Sequence, residues 1–495
     1  MSEAAASRLV LRGAAATGAG FAMRLGARLG MLFLAGRLFG PRAFGAYALG
    51  VAVVESGVGL AGLSLKRVLF QLLDDNQAAG GAARPDTHIV LDACALVLTA
   101  GAAVAAFIMA GACIAAGGWP ARGPYAALFW LAPMVMGQVL ADVLLAAGRW
   151  KHLIRYEVVG RSLVEPYTQV AVALAGWWAG WSTAALIVAY WAGNLTLNHY
   201  ALAGVRRGFG RLGLRGYRPH PARLRAVARG LVPNTATELL GGLYSRLDLY
   251  LVGALMGPRW AGYYAMAQQV RTPIKQVRQS FDGLLVPLVA RTLARDGAAA
   301  TGRSLAAAAR LLLAIQLPVL AALIAFGAPL LHLFGPGFEE GATALALLAG
   351  AEVLAASLGL GDLLLVYLAA GAGLRMAALT FAAGLGCVAV LTPLYGLTGA
   401  AAAMLLATVL QTLIRRRYLR RRFGHRVPVL FSAGPGVAGA AALAAMLALR
   451  GPAHLGFAWR DLLALGGGLA LYAALLFAWL RVSGERLRIT GLSAA

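Results

Sequence analysis

Residues 89–117 read IVLDACALVLTAGAAVAAFIMAGACIAAG, and this stretch decides the class of fold. It is 29 residues long, and Asp92 is its one charged residue. A membrane-spanning helix needs about 20 mainly apolar residues, because the hydrocarbon core of a bilayer is about 30 Å thick. The stretch therefore predicts a transmembrane α-helix.

The composition extends this interpretation to the whole chain. Of its 495 residues, 60% are hydrophobic and 13% are charged, whereas soluble domains average about 45–50% apolar and about 25% charged residues. The chain is predicted to be an all-α, polytopic membrane protein with about 14 transmembrane helices. Their predicted extents are 13–39, 45–65, 89–117, 124–146, 163–180, 182–205, 232–256, 262–290, 305–332, 341–370, 374–392, 396–414, 429–449 and 462–481.

The net charge of +25 would suggest nucleic acid in a soluble protein. With the N-terminus inside and alternating spans, however, 31 of the 44 basic residues fall in predicted cytoplasmic segments and five in outer loops. Basic residues are enriched in the cytoplasmic loops of membrane proteins. The charge therefore predicts orientation, with both termini cytoplasmic, and no nucleic-acid partner.

Two basic segments divide the predicted helices into groups. The longest loop, 206–231, is rich in Arg and Gly and reads as a cytoplasmic linker, and 415–428 reads as a second basic cytoplasmic loop. The predicted domains are an N-terminal six-helix bundle, a C-terminal six-helix bundle, and a helix pair with a tail, at 1–205, 232–414 and 429–495.

An internal repeat supports two related bundles. Gly40-Pro-Arg-Ala-Phe-Gly-Ala-Tyr-Ala-Leu follows the first apolar segment, and Gly257-Pro-Arg-Trp-Ala-Gly-Tyr-Tyr-Ala-Met follows the seventh. An even number of helices per repeat gives a parallel repeat, as in many transporters. The repeat predicts pseudo-symmetric halves in which Gly40 superposes on Gly257 and Tyr47 on Tyr264.

These residues also carry a family resemblance. The run 36–50 resembles the first helix–turn–helix of lipid-linked oligosaccharide flippases, the polysaccharide exporters of the multidrug/oligosaccharidyl-lipid/polysaccharide superfamily. The run 246–253, Arg-Leu-Asp-Leu-Tyr-Leu-Val-Gly, with the second Gly-Pro-Arg turn, resembles their seventh helix. The resemblance covers about residues 8–425, and a final helix pair is an optional addition in that superfamily.

The resemblance implies a fold, an activity and partners. The implied fold is two six-helix bundles around a central cavity that opens alternately to each side of a bacterial cytoplasmic (inner) membrane. The implied activity moves oligosaccharide linked to a polyprenyl diphosphate to the outer leaflet, for lipopolysaccharide or exopolysaccharide synthesis. The implied partners are the lipid-linked oligosaccharide, membrane lipid, a polysaccharide polymerase and export machinery.

Basic residues inside the predicted spans are candidates for the substrate site. A charge at the bilayer centre costs at least about 2.5–3.5 kcal/mol, so such residues usually face a cavity or a partner. Arg271, Lys275, Arg278 and Asp282 are spaced four, three and four apart and share one helix face. Arg suits a diphosphate because its planar guanidinium donates two parallel hydrogen bonds. The predicted substrate-binding residues are Arg24, Arg28, Arg246, Arg271, Lys275 and Arg278; the alternative is that they snorkel to lipid head groups.

Acidic residues are embedded as well: Glu55, Asp92, Asp142, Glu165, Glu238, Asp248, Glu352 and Asp362. Intramembrane carboxylates often carry protons or sodium. Asp248, Glu55 and Asp282 are the candidates for ion coupling, and ion-pairing with a neighbouring Arg is the alternative.

The sequence offers no catalytic, metal or cofactor signature. The seven His residues lack metal-ligand spacing, there is no Walker A motif, and Cys94, Cys113 and Cys387 read as packing residues. The predicted function, which the resemblance implies, is a transporter and not an enzyme. A peptidoglycan-precursor flippase stays open; a cation antiporter would need an acidic cavity, and a membrane polymerase or ligase usually has a large outer loop.

Overall fold

The structure is a computed structural model that describes residues 23, 26–62, 65–78, 85–120, 123, 125–210, 217, 235, 239–360, 373–423, 433–450, 456 and 458–483. Every regular element in these ranges is helical. The chain divides into two compact units, here called unit 1 (Met1–Leu243) and unit 2 (Tyr244–Ala495).

In the described part of unit 1, residues 26–37 are helical and are followed by eight delimited α-helices. These are α1 (Gly40–Ala61), α2 (Leu65–Ala78), α3 (Asp86–Ala116), α4 (Ala126–Leu131), α5 (Met134–Trp150), α6 (Ile154–Val159), α7 (Glu165–Trp178) and α8 (Thr183–Phe209).

The fifth predicted span begins earlier than the sequence indicated. A π-helix, Gly160–Val164, joins α6 to α7 into one helical run over 154–178, where the prediction began at 163. Arg161, predicted to lie in the preceding loop, is inside this run and is paired with the Asp142 carboxylate of α5. The pairing compensates the charge of Arg161, so that this residue is accommodated inside the helical run.

Helix α2 occupies a segment that was predicted to be a cytoplasmic loop. Leu65, Leu69 and Leu73 lie four residues apart and are at most 1% exposed. This spacing places them on one face of a helix, where they pack into the core of unit 1. With 14 residues, α2 is too short to span a bilayer.

In the described part of unit 2, seven delimited α-helices and one 3₁₀-helix, Phe338–Gly341, follow in order. The α-helices are α9 (Leu247–Met256), α10 (Pro258–Val270), α11 (Thr272–Leu333), α12 (Ala342–Leu358), α13 (Gly373–Phe423), α14 (Ala433–Arg450) and α15 (Trp459–Ser483). The basic segment predicted as a loop, 415–428, is helical as far as Phe423.

The two longest helices are each divided by a glycine. Gly297 in α11 has φ 75° and ψ 177°, and Gly396 in α13 has φ 58° and ψ −138°. These backbone angles are not helical, and a side chain would strain them. The breaks agree with the sequence, because Gly297 lies between the predicted spans 262–290 and 305–332, and Gly396 begins the predicted span 396–414.

Seven helical stretches among the described residues are long and apolar enough to cross a membrane. The prediction of an all-α, multi-pass membrane protein is therefore confirmed. The count of about 14 spans and the pseudo-symmetry of the halves stay predictions. Local geometry supports the repeat, because Gly40 and Gly257 both have positive φ, at 76° and 89°, and each precedes a proline at a helix start.

The C-terminal helix pair completes the hydrogen bonding of α11. Pro318 has no N–H to donate to the carbonyl of Ala314 one turn earlier. The Tyr472 hydroxyl of α15 donates to that carbonyl at 2.7 Å. Proline is tolerated in membrane helices where neighbouring helices satisfy the carbonyl it leaves open.

The helix pair also supplies a donor for the carbonyl that a second proline of α11 leaves open. Pro329 cannot donate to Ala325, and Arg450 at the end of α14 donates to the Ala325 carbonyl. Arg450 also lies 3.7 Å from the fully buried Asp461 carboxylate, measured from Nε to Oδ1. Both carbonyls that these prolines leave without a helical donor thus accept a hydrogen bond from the C-terminal helix pair. These bonds attach α14 and α15 to α11 of unit 2.

Candidate substrate and ion sites

Three basic residues predicted to share one helix face, here called the cationic stripe, begin where α10 meets α11: Arg271, Lys275 and Arg278. Arg271 occupies the junction, and Pro273 in the first turn of α11 separates the two helices. Arg271 Nη1 lies 2.9 Å from Glu352 Oε1 of α12, and their side chains are 14% and 17% exposed. At such low exposure the pair is stabilised by a directional, charge-assisted hydrogen bond as well as by electrostatic attraction. Glu352 is therefore ion-paired with an arginine, which was the alternative to an ion-coupling role for the embedded acidic residues.

Two turns along α11, Arg278 contacts the same neighbouring helix. Its Nη1 donates to the Ala355 carbonyl at 2.8 Å. Lys275, between the two arginines in the sequence, is exposed. The stripe therefore has two arginines oriented by α12 and one exposed lysine, while the side chain of Asp282 lies outside the described part of the chain.

Asp248 is the centre of a buried polar network in unit 2. It lies in the first turn of α9 and is 0% exposed. Its Oδ2 accepts from the Tyr264 hydroxyl at 2.8 Å and from Gln268 Nε2 at 2.9 Å, and its Oδ1 accepts from the Leu249 N–H at 2.9 Å. Uncharged donors and the start of a helix both stabilise a carboxylate.

Sequence reasoning named Asp248 but missed two of its partners. Tyr264 and Gln268 are four residues apart on α10, a spacing that places both on one helix face. That spacing was readable, because Tyr264 belongs to the repeated Gly-Pro-Arg segment. The register that brings α10 against α9 was not readable. Arg246 is half-buried and lies directly before α9, in a turn within the predicted span 232–256.

Unit 1 holds a second polar cluster, on α1, α5, α7 and α8. Gln138 Nε2 lies 3.4 Å from Glu165 Oε1 and 3.3 Å from the Tyr190 hydroxyl. The rings of Tyr47 and Tyr190 meet edge to face at 6.2 Å. Glu55 and Glu165 both lie within electrostatic range of these two tyrosines.

The remaining predicted residues are placed as follows. Glu55 is exposed, and Arg28 is half-buried in the helical residues 26–37. Arg24, Glu238 and Asp362 lie outside the described residues. In the described part of the chain, no group of three or more His, Cys, Asp or Glu could hold a metal ion. The substrate and ion roles of all these residues stay predictions.

Comparison with solved structures identifies proteins with a similar fold. The chain is similar to the lipid II flippase MurJ in an inward closed conformation, with TM-score 0.68, 11% identity, and coverage of 95% of this chain and 99% of that chain. It is similar to an inward-facing multidrug resistance MATE family transporter of the MOP superfamily, with TM-score 0.64, 13% identity, and coverage of 81% and 94%. A MOP superfamily transporter from Pyrococcus furiosus gives TM-score 0.53 at 13% identity, covering 82% and 93%.

Sequence comparison adds the family. A family model described as "Polysaccharide biosynthesis protein" matches residues 157–338, a range that runs from the end of α6 into the 3₁₀-helix of unit 2. No curated protein sequence matches the chain. The chain is thus a multi-pass membrane protein with the fold of solved MOP superfamily transporters, and the match of residues 157–338 to the polysaccharide biosynthesis family supports the family predicted from the two Gly-Pro-Arg segments.

Proposed function

We propose that the chain is a flippase for oligosaccharide linked to a polyprenyl diphosphate, working by alternating access in the bacterial cytoplasmic membrane. The match of residues 157–338 to the polysaccharide biosynthesis family carries the proposal. The fold supports it, because solved structures with this fold include a lipid II flippase and a MOP superfamily transporter. The proposal assigns transport and no catalysis to the chain.

We propose the cationic stripe as the contact for the diphosphate. Arg271 and Arg278 are oriented by α12, so the geometry of the stripe is set before a ligand binds. Lys275 is exposed on the same helix, so a phosphate can reach its ammonium group. Arg28 and Arg246 are proposed as further contacts, together with Arg24.

We propose Asp248 and Glu55, with Asp282, as candidates for carrying the coupling proton or sodium ion. Asp248 is the most strongly supported of them, because it is a fully buried carboxylate in a membrane protein. The hydrogen bonds it accepts among the described residues come from uncharged groups. A cation or proton arriving at such a carboxylate would offset its charge directly.

The test is export in a strain that lacks the protein. Lipid-linked oligosaccharide should accumulate in the inner leaflet, and the wild-type chain should restore its transfer to the outer leaflet. Lys275→Ala should lower the transfer rate at unchanged protein level, while Arg295→Ala, exposed on the same helix, serves as the matched control. Normal export without the chain would contradict the proposed function. Normal export by Lys275→Ala would show that Lys275 does not contact the diphosphate.

A peptidoglycan-precursor flippase is the second candidate. The observation that favours it is coverage: 95% of this chain aligns with the lipid II flippase, against 81% with the MATE family transporter. Coverage that high requires much of the C-terminal helix pair to align as well. Complementation of a strain depleted of its lipid II flippase separates the two candidates, because the substrate that accumulates identifies the cargo. A membrane polymerase or ligase would instead change the length of the glycan or its attachment.

A further inference from the structure

One face of α8 in unit 1 carries an apolar groove. The groove is shallow and open, and its volume is about 610 Å³. Residues of α8 and one residue of the π-helix line it: Val164, Ala192, Leu195, Thr196, Tyr200 and Ala203, with His199 between them. On α8 the lining runs from Ala192 to Ala203, about 16 Å along the axis, or about half the hydrocarbon thickness of a bilayer.

Two polar side chains that line the groove make hydrogen bonds to carbonyls of their own helix. Thr196 Oγ1 donates to the carbonyls of Ala192 and Gly193, both at 2.9 Å. His199 Nδ1 lies 2.9 Å from the Leu195 carbonyl and donates to it. The surface that lines the groove is mainly apolar, so the groove suits an apolar occupant.

The groove ends at a basic tip. Arg206 and Arg207, both exposed, lie in the last turn of α8. At 3.6 residues per turn, Arg206 falls within about 40° of Ala192, so it continues the face that carries the groove. A third cation, Arg155, is exposed beside Tyr156, whose ring packs 5.1 Å from that of Tyr200 in the groove.

Aromatic and basic residues beside this tip form a pattern typical of the depth of lipid phosphates. Trp150 and Phe209 stack at 5.8 Å, and Lys151 Nζ lies 4.5 Å and 5.0 Å from their ring centroids. Tryptophan and basic residues concentrate where a membrane protein meets the head groups. Phe209 is less than one turn beyond Arg206, so the apolar groove changes to basic residues at the level of the head groups.

We propose that this groove holds the polyprenyl chain of the lipid-linked substrate while its diphosphate lies at Arg206 and Arg207. The inference rests on the proposed function, and it assigns a loading site on unit 1. The apolar lining accommodates the hydrocarbon chain, and the guanidinium groups accept the anion with charge-assisted hydrogen bonds. An ordinary phospholipid in the groove is the competing outcome.

Photo-crosslinking of the full-length chain in nanodiscs of phosphatidylethanolamine and phosphatidylglycerol tests the site. The photoreactive residue p-benzoylphenylalanine replaces Leu195 in the groove or, as matched control, Leu174 on α7; the two side chains are 48% and 41% exposed. Radiolabelled undecaprenyl diphosphate should label position 195 at least fivefold more than position 174. Unlabelled undecaprenyl diphosphate should compete, and added phosphatidylglycerol should not. Equal labelling at both positions, or displacement by phosphatidylglycerol, would overturn the proposal.

The basic tip is tested in the same assay. Arg206→Ala combined with Arg207→Ala should lower labelling at position 195 at least threefold, and Arg295→Ala in unit 2 should leave it unchanged. Unchanged labelling in the variant without the two arginines would show that the diphosphate does not bind at the tip. A chain that labels but does not transport keeps the groove and loses the flippase function. A chain that transports normally without labelling keeps the function and loses the groove.

Discussion

Tyr472→Phe should destabilise the protein by removing one hydroxyl group. The hydroxyl donates at 2.7 Å to Ala314, a carbonyl to which Pro318 cannot donate. The ring is 5% exposed and packs against its neighbours unchanged in the variant. Leaving a buried carbonyl without its donor costs about 1–3 kcal/mol. The free energy of unfolding should therefore fall by about 2 kcal/mol.

Pro318→Ala should abolish that effect. Alanine restores the N–H that completes the helical hydrogen bond to Ala314, so the Tyr472 hydroxyl becomes dispensable. In the Pro318→Ala background, Tyr472→Phe should change the free energy of unfolding by less than about 0.5 kcal/mol. The measurement is a double-mutant cycle by reversible unfolding in mixed detergent micelles. Tyr395→Phe, at a side chain that is 66% exposed, is the control. An equal loss in both backgrounds would refute the assignment of the hydroxyl to the carbonyl left by proline.

Three further predictions concern single features. Asp248→Ala should destabilise unit 2 by about 3 kcal/mol, because buried donors lose their acceptor; an unfolding midpoint equal to that of the wild type would contradict the network. Gly257→Ala should cost about 1–2 kcal/mol because φ is +89° there, whereas Gly241→Ala, in an exposed helical position with open space around it, should be neutral or slightly stabilising in the same measurement. Reporter fusions should place Gly335 on the outer side of the membrane and Arg420 in the cytoplasm; finding both on one side would contradict the alternating orientation.

The apolar segments were readable from the sequence because the bilayer imposes a length and a composition on every spanning helix. The two long helices illustrate this. Gly297 and Gly396 break α11 and α13 where the sequence separates apolar segments. Helix α2 was missed for the opposite reason. It is too short to span, and its three buried leucines form a pattern that only packing within unit 1 turns into a core face.

The chemistry of the candidate site was readable only in part. Charged residues within apolar segments stand out in a sequence, because their burial in lipid is costly. This reasoning selects four such residues from the sequence alone: Arg271, Arg278, Asp248 and Glu352. The assignment of Glu352 to Arg271 spans 81 residues of sequence. No local pattern encodes a contact across such a separation.

The sequence by itself determined that this chain is a helical, multi-pass membrane protein that resembles lipid-linked flippases, because hydropathy and the Gly-Pro-Arg turns are local properties. The tertiary structure alone decided which polar groups meet. It brought Tyr264 and Gln268 to Asp248, and Tyr472 to the carbonyl at Ala314. In a membrane protein each buried polar group needs a partner, and the partner is chosen by the packing of distant helices.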